Sequence, residues 1–252
     1  PLGYDSEANW FITMCEQYKS PYTSLEEGNH FLFDNETNRG FVKMFREWHQ
    51  KGYVTTEAIY GSYTSGLFTA TEGQRCYMVI GSTGGASYQT PPAPDGQPMF
   101  ETGMATPPQV DPNAPKVISQ GPSLCILKGA NTTDQQVLAS WLFTKFLCTN
   151  VDFQAEFSMT SGYMPVLKSV VDNEFYAAWL GKANGYEQLV ATCVKTGIEG
   201  RDDYFVSPAF NGSSTARSQV GSLLVKCLST QTDNVDALID DAFQNAIDEC
   251  EY

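Results

Sequence analysis

The sequence predicts an α/β fold, because amphipathic helical patterns alternate with short apolar segments of strand-like composition. In residues 41–51 the apolar side chains recur at spacings of three and four, the period of a helix that rests on a core. Residues 77–80 and 124–127 are short, apolar and partly β-branched, and Gly, Ser and Pro bound them, which is typical of buried strands. The 252 residues, 42% apolar and 13% aromatic, suffice for one large core or two modest ones.

Three helices are predicted in chain order, and the apolar face of each is expected to belong to the core. The first covers residues 41–51, and Gly52 ends it. The second begins near Thr132 or Thr133, since either residue can form a capping box with a glutamine three residues further on. The third runs over about 233–247.

Residues 91–115 hold eight of the thirteen prolines. Proline lacks a backbone donor, so this stretch cannot be a helix or a central strand. We expect an extended connection with at most one edge strand, near residues 100–105.

The chain is strongly acidic, with 29 acidic residues against 15 basic ones and a net charge of −14. This charge repels nucleic acid phosphates and anionic lipid headgroups, so we expect neither as a partner. The apolar runs are far shorter than the roughly 20 residues of a membrane span, and no basic and apolar leader precedes Pro1. We therefore expect a cytosolic protein or the processed body of an exported one.

The cysteines and histidines form no metal or redox motif. The seven cysteines are widely spaced, without any CxxC pair, and we expect mostly structural thiols with at most one disulfide. Cys76 and Cys125 lie in apolar runs that favour burial. His30 and His49 are too isolated for a metal site or a catalytic triad, so neither a metal nor a cofactor is predicted.

Catalytic motifs are absent or incomplete. Residues 81–84 lack the GxSxG spacing of a serine hydrolase, and no lysine follows residues 84–85 as a Walker loop requires. Residues 34–38 alternate in the manner of calcium ligands, but Arg39 stands where a calcium loop needs glycine, so we interpret them as a polar turn before the first helix. A glycosidase needs only two carboxylates across a cleft, which 29 acidic residues can supply.

The chain's strongest functional pattern is one of binding. Residues 81–85 form a glycine- and serine-rich turn directly after an apolar segment, where backbone N–H groups and small hydroxyls can approach a polar ligand. A tight turn without a ligand is an equally good interpretation of this segment alone. Tyr163 can stack on a sugar face, and Arg217 presents a fork of donors suited to hydroxyls or a phosphate.

Several short blocks share the order and spacing of one protein family; they are residues 3–6 with Asn9, 68–82, 121–123, 141–147, 161–166 and 208–210. Through them the sequence resembles the bacterial family 1 extracellular solute-binding proteins, which deliver carbohydrates to ABC importers. The resemblance covers nearly all of this chain and corresponds to the C-terminal two thirds of a family member. It implies a type II periplasmic-binding-protein-like fold, with two α/β lobes that close on a solute.

The resemblance also implies a function and a set of site residues. Such proteins capture a sugar, a sugar oligomer or a polyol phosphate and pass it to a permease, without catalysis, outside the cell as periplasmic or lipid-anchored proteins. Members that bind glycerol-3-phosphate suggest ligand contacts at Ser82, Gly121, Tyr163 and Arg217. Thr83 or Ser62 could equally take the place of Ser82. A binder of neutral sugars is expected to stack them on Trp179, Tyr204 or Phe210.

By the same resemblance, residues 1–120 and 170–252 form the C-terminal lobe. Residues 124–168 cross over to an N-terminal lobe that is largely missing from this chain. The helix over 132–149 would then lose its packing partners, and we expect it to fold back on the remaining lobe or to associate with a second copy.

Two other classes of function stay open at this point. One is a carbohydrate-active hydrolase that uses paired carboxylates. The other is a protein-interaction domain that kept the lobe and lost its ligand.

Overall fold

The computed structural model describes residues 1–251, except for the side chains of residues 186 and 187. These residues divide into two units. Unit 1 contains residues 1–81, 107–119 and 203–251, and unit 2 contains residues 82–106 and 120–202.

Unit 1 is built on a parallel three-stranded sheet. Its strands are β1 (Leu2–Tyr4), β2 (Val54–Thr56) and β3 (Met78–Ile80), in the order β2-β1-β3. Leu2 is in register with Val54 on one side and Met78 on the other, so the carboxyl ends of all three strands lie at one edge. A second parallel pair joins β4 (Val117–Ile118) to β5 (Tyr204–Phe205).

Six helices of unit 1 surround these strands; they are α1 (Glu7–Gln17), α2 (Glu36–Gln50), α3 (Glu57–Tyr60), α4 (Ser65–Phe68), α9 (Ser213–Ser229) and α10 (Val235–Glu251). Helix α9 packs against both α1 and α10. The core between them is aromatic: the Trp10 ring stacks on Phe45 at 3.9 Å between centroids, and Phe11 is fully buried.

Unit 2 is helical in its described part and has a much smaller core. Its helices are α5 (Asp134–Thr149), α6 (Val151–Ser161), α7 (Glu174–Gly181) and α8 (Leu189–Glu199), and a 3₁₀ helix covers Thr83–Gln89. The buried cluster consists of Ala155, Val170, Tyr176 and Val194. Tyr176 is held in it by a hydrogen bond of 2.8 Å between its hydroxyl and that of Ser158.

The α/β fold class and several helix ends are confirmed. Thr133 caps α5 in a capping box with Gln136, and Gly52, with φ of +73°, follows the last turn of α2. Helix α10 buries its predicted face through Leu238, Phe243 and their neighbours.

Helix α2 begins five residues before the predicted start. Asn35 caps it by accepting a hydrogen bond from the backbone of Asn38. Residues 36–38 are therefore helical, and the expectation of a polar turn there was wrong. The polar residues belong to the first turn of the helix, where apolar periodicity gives no signal.

One predicted strand is absent from residues 1–251, and the edge strand that was allowed near residues 100–105 is not formed either. Residues 124–127 form no strand, with Leu127 85% exposed, and residues 100–105 are irregular. A strand needs a neighbour for its N–H and C=O groups, and no described strand pairs with residues 124–127. The other predicted strand, 77–80, begins at Met78, but it lies at the edge of its sheet and Met78 is exposed.

The apolar residues of α5 do not form core, contrary to expectation. None of the residues of this helix is buried, and Leu138, Trp141, Leu142, Phe143 and Phe146 are all 47–64% exposed. Among the described elements, α5 packs mainly against α6. The assignment of residues 124–168 to another lobe stays a prediction.

The cysteines are free thiols throughout the described chain, and the single disulfide that the sequence allowed does not form there. Cys76 is buried as predicted, whereas Cys125 is exposed because its segment is not a strand. None of the described helices is long and apolar enough to span a membrane.

Candidate functional site

The carboxyl edge of the unit 1 sheet is held together by Asp5. This residue directly follows β1, and its Oδ1 accepts hydrogen bonds from the backbone N–H of Thr64 at 2.8 Å and from the Thr64 hydroxyl at 2.7 Å. Gly81, which follows β3, lets the carboxylate approach, because a Cβ at that position would lie 3.1 Å from Asp5 Oδ2. Ligands of open α/β sheets bind at this edge.

Arg217 is positioned next to the N-terminal turn of α1. Gly221, one turn further along α9, brings the two helices together: a Cβ there would lie 3.4 Å from that of Ala8. This close approach sets Arg217 beside Asn9, and its Nη2 donates a hydrogen bond to Asn9 Oδ1. The guanidinium is about half buried, and burial lowers the pKa of Arg217.

No ion pair within residues 1–251 involves Arg217. Arg39 shows the contrast, because it bonds to Asp34 at 2.6 Å and also to Asp240. In a chain with 29 acidic residues, a half-buried arginine without a carboxylate is a candidate anion-binding group.

Tyr22 lies near Arg217, although no sequence pattern indicated it. Burial raises the pKa of Tyr22, and the positive charge of Arg217 opposes that increase. Its hydroxyl is buried and has no hydrogen-bond partner among the described residues. The fold alone brings Tyr22 near Arg217, so no motif could have found it.

Phe210 and Tyr204 are two of the three predicted stacking residues, and both belong to unit 1. The Phe210 ring stacks on His30, with 4.7 Å between centroids and 19° between planes, and lies 5.8 Å from Phe31. It precedes the first turn of α9, the helix that carries Arg217. Tyr204 lies on β5, in register with Val117.

In unit 2, the structure brings two predicted blocks together. The serine-rich turn at residues 82–85 lies against the Ser161–Pro165 block. A Cβ on Gly84 would lie 2.6 Å from Cζ of Tyr163, and one on Gly162 would lie 2.6 Å from the carbonyl oxygen of Thr83. Both glycines are therefore required for this contact, and Gly162 also has a φ of +79°.

The surface formed here combines polar groups with an aromatic ring. Ser82 is exposed, and its hydroxyl accepts a hydrogen bond from the backbone of Gly84 at 3.3 Å. The Tyr163 ring is 44% exposed and stacks on Phe157, with 7° between the planes. A tyrosine ring beside small hydroxyls can bind a sugar through its apolar face and its hydroxyls.

The other two predicted residues of unit 2 have different surroundings. Trp179 packs on Tyr176, with 5.4 Å between centroids, against the small core. Gly121 is exposed, and nothing lies within 4 Å of the position that its Cβ would take.

A concavity in unit 1 is lined by Gln17, Lys116 and neighbouring residues. It lies at the C-terminal end of α1, roughly 12 Å along the helix axis from Asn9. Gln17 joins its walls by donating to the carbonyl groups of Pro108 and Lys116. Because these bonds connect the proline-rich segment to α1, we interpret the concavity as structural.

The carboxylates at the sheet edge have structural partners. Burial raises the pKa of Glu57, and the charges of Asp5 and Glu7 add to the increase. Asp5 holds Thr64, and Glu7 accepts the backbone N–H of Ala58 at 2.9 Å. The described residues contain no group of three or more potential metal ligands.

An α/β unit with polar residues at the carboxyl ends of its parallel strands is suited to bind a solute at that edge. Residues 2–183 match the family model of the bacterial extracellular solute-binding proteins, and the chain belongs to this family. The family consists of extracellular binding proteins rather than enzymes. No curated protein matches the chain.

Two solved structures have the same fold. One is UgpB from Mycobacterium tuberculosis in complex with glycerophosphocholine, with a TM-score of 0.69 and 15% identity over 99% of this chain. The other is the cyclic alpha-maltosyl-1,6-maltose binding protein from Arthrobacter globiformis, with a TM-score of 0.65 and 16% identity over 98% of this chain. The alignments cover only 58% and 59% of those proteins, so this chain spans less than two thirds of their length.

Proposed function

We propose that the chain is part of the solute-binding component of an ABC importer, and that it captures a carbohydrate or polyol phosphate for delivery to the permease. The observation that carries the choice of ligand is Arg217. A half-buried guanidinium with an amide partner and no carboxylate partner can form two parallel hydrogen bonds to a phosphate. The glycerophosphocholine complex of the M. tuberculosis protein supports a phosphorylated ligand.

We assign further ligand contacts to unit 2. Ser82 or Thr83 supplies hydroxyls, and Tyr163 supplies a ring for stacking on the carbon skeleton of the ligand. Gly121 is a further proposed contact. Trp179, Tyr204 and Phe210 are the proposed stacking residues for a neutral sugar, and of these Phe210 is already stacked on His30.

We also propose an extracellular location, as a periplasmic protein or a cell-surface lipoprotein, on the basis of the family. Self-association through α5 is a further proposal, supported by its exposed apolar residues.

The test is a thermal-shift and calorimetric comparison of sn-glycerol-3-phosphate, glycerophosphocholine, glycerol and maltose. A ligand at 100 times its Kd stabilises the folded state by about 2.7 kcal/mol, which raises Tm by roughly 5 to 11 °C. We expect a shift with the phosphorylated ligands, and its loss in Arg217→Ala.

Arg201→Ala is the matched control, because Arg201 is exposed and pairs with the adjacent Asp202, far along the chain from Arg217. A shift confined to neutral sugars, or an equal loss in both variants, would contradict the phosphate assignment. The absence of any shift with the four compounds would count against solute binding by this chain.

A further inference from the structure

We propose that the rings of Phe153, Phe157 and Tyr163 form an aromatic track that binds successive units of a linear oligosaccharide, and that this track selects oligomers over single sugars. The inference rests on the proposed function, because it extends the proposed Tyr163 contact along α6. Neither phenylalanine belongs to the blocks through which the sequence resembles its family.

The three rings follow one another along one side of α6. Phe153 and Phe157 are four residues apart, so their side chains leave the helix on the same face. Their ring centroids are 5.9 Å apart with 20° between the planes, and those of Phe157 and Tyr163 are 6.5 Å apart with 7° between the planes. The next ring, Phe146, is tilted by 45° from Phe153 and ends the series. The track is therefore a stepped apolar surface of three nearly parallel rings.

The rings are not part of the core of unit 2. Helix α6 buries its small residues Ala155 and Ser158, whereas Phe157 and Tyr163 are 49% and 44% exposed. Large apolar side chains normally take the buried positions of a helix. A helix that buries alanine and serine and exposes aromatic rings presents a surface for binding.

The Tyr163 end of the track is fixed before any ligand binds. Gly162 ends α6 with a φ of +79°, which turns the chain so that Tyr163 lies beside Phe157. The hydroxyl of Ser161 accepts the backbone N–H of Tyr163 at 3.2 Å and donates to the carbonyl oxygen of Phe157 at 2.6 Å. A surface that is already ordered binds a ligand at a lower entropic cost.

Polar groups accompany the rings on the same face of the helix. Glu156 and Thr160 are exposed, and their spacing places them beside Phe153 and Phe157. No ion pair within residues 1–251 involves Glu156. The Thr160 hydroxyl donates to the backbone carbonyl of Glu156 at 2.9 Å, which leaves its oxygen to accept a further hydrogen bond.

This combination fits a sugar chain better than an aliphatic one. A pyranose has an apolar face of C–H groups for an aromatic ring and hydroxyls at its rim for Glu156 and Thr160. An aliphatic chain would cover the Glu156 carboxylate without offering it a donor, which is unfavourable. The ring spacings are similar to the distance between neighbouring units of a 1,4-linked glucan, so each ring can contact one unit.

The experiment measures affinity against ligand length by calorimetry, with glucose, maltose and maltotriose and with cellobiose and cellotriose. In the series whose linkage fits the track, we expect affinity to rise roughly fivefold with each unit up to the trisaccharide. Phe157→Ala removes the middle ring, so it should weaken trisaccharide binding roughly tenfold and abolish most of the dependence on length. Its Tm should change little, because the ring is half exposed.

Two further variants show whether the ring itself is responsible. Phe157→Tyr keeps the ring and should keep the dependence on length. Phe143→Ala is the matched control, because Phe143 is an exposed ring on α5 outside the track, and it should leave trisaccharide affinity unchanged. An equal loss in Phe143→Ala, or a loss in Phe157→Tyr as large as in Phe157→Ala, would overturn the proposal.

The outcomes separate this inference from the proposed function. If a phosphorylated ligand or a single sugar binds the wild type but affinity does not rise with length, the track is overturned and the proposed function stands. A rise that survives in Phe157→Ala also overturns the track alone. If neither these sugars nor the phosphorylated ligands bind the wild type, both the proposed function and the track fail.

Discussion

The contact between Gly84 and Tyr163 makes a sharp prediction for Gly84→Ala. The added Cβ would lie 2.6 Å from Cζ and 2.9 Å from Cε2 and Oη of the Tyr163 ring, well inside van der Waals contact. Gly84 has an ordinary negative φ, so the backbone accepts alanine and the ring must move. Because the ring is 44% exposed, it can rotate towards solvent, away from Phe157.

The expected loss of stability in Gly84→Ala reflects two opposing effects, the cost of overpacking and the freedom of the ring to move. Overpacking of this kind costs about 1–3 kcal/mol, and the mobility of an exposed ring places the expected cost at the lower end, near 1 kcal/mol. A loss of about 1 kcal/mol lowers Tm by roughly 2–4 °C for a chain of this size. Solute affinity should fall more than stability, since the displaced ring is a proposed ligand contact.

Gly85→Ala is the matched control. The neighbouring Gly85 also lacks a positive φ, and nothing lies within 4 Å of the position that a Cβ would take there. Alanine at this position should be neutral or stabilising by about 0.4–1 kcal/mol, because it restricts the unfolded chain. Thermal unfolding and calorimetry of both variants form the assay, and equal Tm values and affinities for the two would refute the reasoning.

Three further predictions concern the backbone at Gly162, the buried thiol of Cys227 and the exposed apolar surface of α5. Gly162→Ala should destabilise unit 2 by about 2–4 kcal/mol in denaturant unfolding, because the residue has a positive φ and its new Cβ would meet the carbonyl oxygen of Thr83. Gly96→Ala is the control: Gly96 also has a positive φ but open space around it, so the cost should be only about 1 kcal/mol. Burial raises the pKa of Cys227 from 9.0 to about 11, so the contribution of this thiol to stability should be constant below pH 9 and be lost between pH 9 and 11. The alkaline decrease in stability, measured by denaturant unfolding, should therefore be less steep in Cys227→Ala. If α5 mediates self-association, Trp141→Glu should lower the mass seen by light scattering at high protein concentration, while Glu174→Gln should not.

The sequence predicted the parts of the fold that depend on local signals. The capping box at Thr133 and the helix stop at Gly52 need only a few adjacent residues, and both are confirmed. Residues 124–127 show the limit of this approach. Their composition is that of a strand, but a strand forms only where another backbone accepts its hydrogen bonds, and composition carries no information on that neighbour.

The sequence indicated some of the contacts in the candidate site, and their role in ligand binding stays a prediction. The blocks at residues 82–85 and 161–165 are distant in sequence, and their order suggested a common role, which agrees with the contact between Gly84 and Tyr163. Arg217 was found through the same family pattern. The buried, unpaired hydroxyl of Tyr22 was not predicted, because only the folded chain shows which groups surround it.

The two groups of proposed ligand contacts differ in what holds them in place. Arg217 lies on α9 between Ala216 and Val220, which are fully buried members of a cluster of twenty buried residues. Its position therefore depends on the core of unit 1. Tyr163 belongs to a unit whose buried cluster has only four residues, and its position depends on close contacts at Gly84 and Gly162. Hydrophobic stabilisation grows with buried apolar area, so unit 2 has much less to resist local unfolding. Mild destabilisation should therefore displace the Tyr163 ring while Arg217 keeps its place beside Asn9, and a weakened chain should lose recognition of the carbon skeleton before recognition of the anion.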